Sequence, residues 1–200
     1  MTPHFLLNEL QEAAAKAEGC LFCWLESYQV DRYLTGVAND GVNNIPLRQK
    51  LAARGGYCAF HCARFSELAS PLPTAILLES FLKQRLSNAE RGKRPTKINC
   101  EACEIAQKTQ KTFAKNLRQH RRSAEIQSVI LNADFCLDHL ELVCQQLPES
   151  VRQGLIAKHV DLRRNLAELI RKHDYRFTDE TITNEEKNSL PRVLGLFNRA

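Results

Sequence analysis

Apolar positions along this chain recur at helical spacing almost throughout. Phe5, Leu6, Leu7, Leu10 and Ala14 fall on one helical face until Gly19 breaks the run. Phe22, Leu25, Tyr28, Tyr33, Leu34 and Val37 predict a second helix, closed by the turn-rich stretch Asn39, Asp40, Gly41, Asn43, Asn44 and Pro46. A short helix is predicted from Leu47 to Arg54, ahead of Gly55-Gly56. Cys58 opens the next helix, which stops before Ser70-Pro71-Leu72-Pro73. An amphipathic helix from Thr74 to Ala89 then meets a linker, Arg91-Gly92-Lys93-Arg94-Pro95. Further on, Leu155, Ile156, Val160, Leu162, Leu166, Leu169 and Ile170 mark a long helix over residues 151–171. Thr183 and Glu186 have the spacing of a capping box that opens a last helix. Asp174, Tyr175 and Arg176, between those two helices, are expected to anchor the tail on the core as a satisfied loop contact. Period-two alternation is nearly absent, so the expected fold is all-α.

The halves of the chain repeat one another. Cys20 and Cys23 form a CxxC, followed after a long interval by Cys58 and His61. Cys100 and Cys103 form a second CxxC, followed after nearly the same interval by Cys136 and His139. The shift that carries Cys20 onto Cys100 superposes the two CxxC motifs, and almost the same shift carries Cys58 and His61 onto Cys136 and His139. Each CxxH has an aromatic residue, Tyr57 or Phe135, before its cysteine. Three thiols and one imidazole complete a tetrahedral zinc site. Two pseudo-symmetric helical repeats are therefore expected, each closed by its own Cys3His site. Residues 1–90 form the first, 91–173 the second and 174–200 a C-terminal extension. The expected metal is zinc, two ions in all; three thiols and an imidazole can also hold an iron–sulfur cluster, so that alternative stays open. Cys62 and Cys144 lie outside the repeat register and are expected to pack in the core, with Cys62 also a candidate spare ligand or metal-site neighbour.

Four pieces of the chain carry a resemblance: Cys20-Leu-Phe-Cys23, Arg54-Gly-Gly-Tyr-Cys58-Ala-Phe-His61, Cys100-Glu-Ala-Cys103 and Phe135-Cys136-Leu-Asp-His139. With these the chain resembles an uncharacterised prokaryotic family of all-helical proteins of about this length. Ile170-Arg-Lys-His-Asp-Tyr-Arg-Phe177, then Glu180 and Glu185, is similar to that family's tail. The resemblance implies paired metal-type motifs and a helical body, and no substrate. Ser189-Leu190-Pro191 departs from the family pattern, which predicts a last helix that is distorted or starts late.

Charge and composition narrow the function classes. The 200 residues are 44 % hydrophobic and 26 % charged, a globular composition. No apolar run reaches the length of a bilayer span, and the first residues meet Glu9 and Glu12 too soon for a signal peptide, so a cytoplasmic protein without membrane partners is expected. Reduced thiols there favour metal over disulfide. The net charge of +5 is concentrated: residues 83–122, from Lys83 to Arg122, carry twelve Lys or Arg against Glu90, Glu101 and Glu104. That segment is a candidate nucleic-acid contact, through Lys108, Lys111, Lys115 and Arg118 on one helix face, although Phe113 is its one aromatic between Lys108 and Arg122. No HExxH, GxSxG, Walker or dinucleotide motif is present. Closed sites leave no coordination position for substrate. The leading expectation is a non-enzymatic zinc module that binds a protein partner or regulates one. A thiol-based or iron–sulfur sensor and a nucleic-acid binder are the alternatives.

Overall fold

The computed structural model describes residues 2–94, 97–177 and 179–197; Pro95, the last residue of the expected linker, lies outside them. Among the described residues there are ten α-helices and no strand: α1 (Pro3–Lys16), α2 (Leu21–Asn39), α3 (Ile45–Ala53), α4 (Ala59–Leu68), α5 (Pro71–Glu90), α6 (Glu101–Gln119), α7 (Ala124–Asn132), α8 (Leu137–Cys144), α9 (Glu149–Lys172) and α10 (Asn184–Phe197). The all-α expectation holds. Two helices start earlier than the apolar spacing predicts, and proline is the reason in both. Pro46 lies in the first turn of α3, where Asn44 caps by accepting the Leu47 N–H at 3.0 Å. Pro71 opens α5 after Ser70. A proline in the first turn lacks only an N–H that would have no helical partner anyway, so it starts a helix as readily as it stops one.

The chain divides into two compact units, and the divisions fall inside α2 and α6. One unit combines the chain up to Leu25 with the chain from Lys111 onward; the other is Glu26–Gln110. Their cores follow the same plan. In the first, Leu21, Phe22 and Leu25 at the start of α2 pack with Phe113 and Leu117 late in α6, Ile126 and Ile130 of α7, and Leu140 and Val143 of α8. In the second, Ala102 at the start of α6 packs with Val30, Leu34 and Val37 late in α2, Leu51 and Ala52 of α3, and Phe65 of α4. Helices α2 and α6 thus each start in one core and end in the other. In the Glu26–Gln110 unit, α4 is also pinned to α2 by Arg64, whose Nε and Nη2 donate to the Asp31 carboxylate at 2.9 and 2.5 Å.

The tail realises its capping box: the Thr183 N–H donates to the Glu186 carboxylate at 2.8 Å, and the Glu186 N–H donates to Thr183 Oγ1 at 3.2 Å. The last helix starts where that box predicts and continues through Pro191. At 174–176 the loop contact is satisfied within itself. Asp174 and Arg176 pair with each other at 2.7 Å and Tyr175 is 84 % exposed. Their closeness in sequence lets those two charges close on themselves before they reach the core. The anchor is instead Lys172, at the end of α9, whose ammonium sits 2.8 Å from the buried Glu186 carboxylate.

Lys172 and the Thr183 N–H hold the Glu186 carboxyl below its usual value near 4.5. A depressed carboxyl stabilises the fold fully above 4.5 and loses that contribution as pH falls through its lowered value. Protection factors of the α10 amides, with the intrinsic pH dependence of exchange divided out, should therefore fall on acidification below 4.5. Glu186→Gln should bring fast exchange at neutral pH and flatten the pH response. Equal protection in the variant would exclude the pair as the anchor.

Candidate metal centres

Both CxxC motifs straddle the start of a long helix. Cys20 immediately precedes α2 and Cys23 is its third residue; Cys100 and Cys103 stand in the same way on α6. Both CxxH motifs start a short helix. Cys58 caps α4 with φ −68° and ψ 165°, and Cys136 caps α8 with φ −67° and ψ 163°. The matched cap geometry puts each imidazole, one helical turn on, over its own cysteine: Cys58 Sγ lies 3.2 Å from His61 Nδ1 and Cys136 Sγ 3.3 Å from His139 Nδ1. In the first CxxC the Cys23 N–H donates to Cys20 Sγ at 3.5 Å, which favours the thiolate that metal requires.

The eight predicted residues form two quartets, but the partners are exchanged. Cys20 and Cys23 converge with Cys136 and His139, and Cys100 and Cys103 converge with Cys58 and His61. Neither quartet lies within residues 1–90 or within residues 91–173, so closure of each repeat by its own site is corrected. The reason is the length of the elements. At about 1.5 Å per residue, α2 carries the chain roughly 24 Å beyond Cys23, and α3, with nine residues, is too short to span that distance. Cys58 therefore arrives in the core that holds the far end of α2, with Val30, Leu34 and Val37, where the start of α6 is also packed. The second half obeys the same geometry through α6 and α7.

In the first quartet His139 Nδ1 lies 3.3 Å from each of Cys20, Cys23 and Cys136 Sγ, and Cys23 and Cys136 Sγ are 3.8 Å apart. In the second, His61 Nδ1 is 3.2 Å from Cys58, 3.4 Å from Cys100 and 3.3 Å from Cys103, with Cys58 and Cys103 Sγ 3.7 Å apart. A tetrahedron around one zinc, with Zn–S of about 2.3 Å and Zn–N of about 2.0–2.1 Å, requires edges of about 3.8 Å for S···S and about 3.6 Å for S···N. Both quartets can hold a metal ion with little rearrangement.

Backbone contacts close each site independently of an ion. The Leu21 N–H donates to the Asp134 carbonyl at 2.9 Å, which joins the start of α2 to the approach of α8. The Asn99 N–H donates to the Arg54 carbonyl at 2.9 Å. Arg54 also meets Glu104 at 2.5 Å, so it ties the end of α3 to the first turn of α6. No periodicity or motif marked Arg54 or Asp134 for these roles. Gly56 at φ +80° lets the chain turn into Cys58; a Cβ there would stand 2.7 Å from the Phe81 ring.

Charge is shared unevenly within each quartet. A hydrogen bond from Cys23, helped by His139 and by backbone N–H groups of Cys136 and Cys23, holds the Cys20 thiol down to about 3 against the opposing effect of burial. The same hydrogen bond with Cys20, together with burial, pushes Cys23 up. In the other quartet burial raises Cys58, but hydrogen bonds from the His61 backbone and from the Cys103 and Cys100 thiols outweigh it and leave it lowered. Burial and the neighbouring thiols push Cys103 up to about 12. Burial also lowers His61, which keeps its imidazole neutral and fit to bind metal. A divalent cation is the charge that lets the remaining thiols ionise, with release of their protons.

Cys62 and Cys144 stand outside both quartets. The Cys62 thiol donates to the Tyr57 carbonyl at 3.6 Å, and Cys144 packs half-buried against the core of its unit. His159 and His173 place Nδ1 2.9 and 2.7 Å from the carbonyls of Leu155 and Leu169.

The family of unknown function DUF6062 matches residues 4–132, a stretch that contains both CxxC motifs and the first CxxH. The chain belongs to this family. No curated protein and no solved structure matches it. No helix among the described residues is long and apolar enough to cross a membrane.

The two sites of this family member differ in their surroundings. Phe22, between Cys20 and Cys23, lies 5.4 Å from the His139 ring and edge-on to Phe113 and Phe135 at 6.2 and 6.0 Å. His61 instead meets Phe60 at 5.1 Å, and Phe60 is 69 % exposed. Cys58 and Cys103 are both half-buried, whereas Cys20 alone is so in the other quartet. Chelator should therefore strip the Cys58 site first. Release followed with a chromogenic indicator is expected in two phases, and Cys58→Ser should abolish the fast one. Loss of the slow phase in that variant would reverse the assignment.

Proposed function

We propose that this chain is a non-enzymatic zinc protein, an interaction or regulatory module in which two Cys3His sites fasten the ends of α2 and α6 to α8 and α4. Two quartets whose ligand separations suit one tetrahedral ion each carry this reading. All four positions of each site are filled by protein groups, which suits a structural ion and leaves no open position for a substrate. A cluster of two or four irons spreads its ligands over several metal atoms, so single-ion separations favour zinc. The helix lengths support two copies of one unit, the domains 1–90 and 91–173 with 174–200 as an extension: α2 to α5 have 19, 9, 10 and 20 residues, and α6 to α9 have 19, 9, 8 and 24. The copies exchange their metal partners.

Elemental analysis of protein purified without added metal tests the reading, with two zinc ions per chain expected. Iron with absorbance near roughly 400 nm would replace zinc by a cluster and the module by a sensor. Protein that is folded without any metal would overturn both.

A further inference from the structure

We infer that the turn joining α6 to α7 is a docking site for the phosphate backbone of double-stranded nucleic acid. Lys115 and Arg118 of α6, with Arg121 and Arg122 of the turn, line one shallow depression of about 740 Å³, bordered by Pro3, Gln119, His120 and Ser123. All four cationic side chains are exposed, and none has an ion-pair partner among the described residues. By contrast, Arg54, Arg64, Arg152, Arg171, Lys172 and Arg176 each hold a carboxylate. No acidic residue occurs between Glu104 and Glu125, and the Glu125 carboxylate accepts from Ser123 Oγ at 2.6 Å. Four cations gathered in one place repel one another, and a polyanion relieves that repulsion while releasing its own counterions.

The surroundings select the kind of polyanion. Phe113, the aromatic of this helix, is buried in the core, and no Phe, Tyr or Trp side chain lines the depression. Unpaired bases would find little to stack on besides the half-buried His120, which disfavours a single strand. A duplex keeps its bases stacked inside and presents closely spaced phosphates outside, which suits exposed Arg and Lys without aromatics. Such contact positions the protein on a backbone and reads no sequence. The inference rests on the interaction-module reading above and not on the metal.

Fluorescence anisotropy of the full-length protein with a short mixed-sequence DNA duplex tests it. Four phosphate contacts predict a log–log salt slope of about −3.6, a loss of affinity on the order of 100-fold between about 50 and 200 mM salt. Arg118→Gln with Arg121→Gln should reduce the slope to about −1.8. Arg163→Gln with Lys187→Gln, which removes the same charge from exposed positions on α9 and α10, should leave it unchanged. Both variants should retain the metal content and circular dichroism of the parent. Absent binding at low salt, equal effects of the two variants, tighter binding of a matched single strand, or binding to anionic lipid vesicles in place of duplex would each overturn the inference. Metal-free protein that binds duplex with the same slope would sink the zinc reading and leave this one standing.

Discussion

Replacing Cys20 by Ser and His139 by Ala in one chain should leave one bound metal ion per chain, whereas Cys20→Ser with His61→Ala should leave none. The first pair disables one quartet twice and the second disables both quartets once, because Cys20 faces His139 at 3.3 Å while His61 faces Cys58, Cys100 and Cys103. Pairing within each repeat gives the reverse counts, so metal stoichiometry of the two double variants separates the arrangements without a structure. Cobalt substitution adds a second reading through the intensity of its ligand-field bands. The stability effect should be as large as any substitution can produce here. Apparent binding free energies of structural zinc run to about 10–16 kcal/mol, against a net stability of about 5–15 kcal/mol for a domain. The first pair should loosen only the unit that contains Cys20 and Cys136, seen as fast hydrogen exchange in α1, α7, α8 and α9. Uniform loss of protection throughout the chain would argue against separate units.

Dividing the chain between Arg94 and Lys97 should yield two halves that neither fold nor hold metal tightly alone and that assemble when mixed with zinc. The N-terminal half carries Cys20, Cys23, Cys58 and His61, and every one of its quartet partners from the other repeat lies beyond the cut. The cores are divided in the same way: Leu6, Leu10 and Phe22 on one side pack against Phe113, Ile126 and Leu155 on the other. Each buried aliphatic or aromatic side chain contributes about 1.5–3 kcal/mol, so the severed cores give the halves a strong reason to reassociate. Size-exclusion chromatography with light scattering should find a one-to-one complex with two metal ions, and circular dichroism should regain helix only on mixing. A helical N-terminal half that keeps one tightly bound ion and ignores its counterpart would refute the exchanged pairing.

The exchange explains why motif spacing misled about which CxxC meets which CxxH while singling out the residues that converge. The interval between Cys23 and Cys58 is long enough for a helix out and back, and the shorter loop has an entropic advantage. That advantage is small: closing across the longer separation from Cys23 to Cys136 costs only about 1 kcal/mol more, since closure entropy grows with the logarithm of length. Burial of Val30, Leu34 and Val37 against Leu51, Tyr57 and Phe65 outweighs it several-fold. Lys172 and Glu186 make the same point on a smaller scale. Their charges were visible, but which cation would meet which carboxylate depended on how α10 turns back.

Residue order alone determined the helical class, because apolar spacing at the helical period and the capping signal at Thr183 act within a turn or two. It also determined which six thiols and two imidazoles gather in the two quartets, since i, i+3 geometry at a helix start is local. Only the tertiary structure decided which CxxC meets which CxxH, that Phe22 encloses one site while Phe60 leaves the other open, and that Arg54 and the Asp134 carbonyl brace them. Those choices depend on the lengths of α2 and α3, or α6 and α7, as rigid bodies and on the shared burial of their side chains, and no spacing of letters encodes where the far end of a helix will pack.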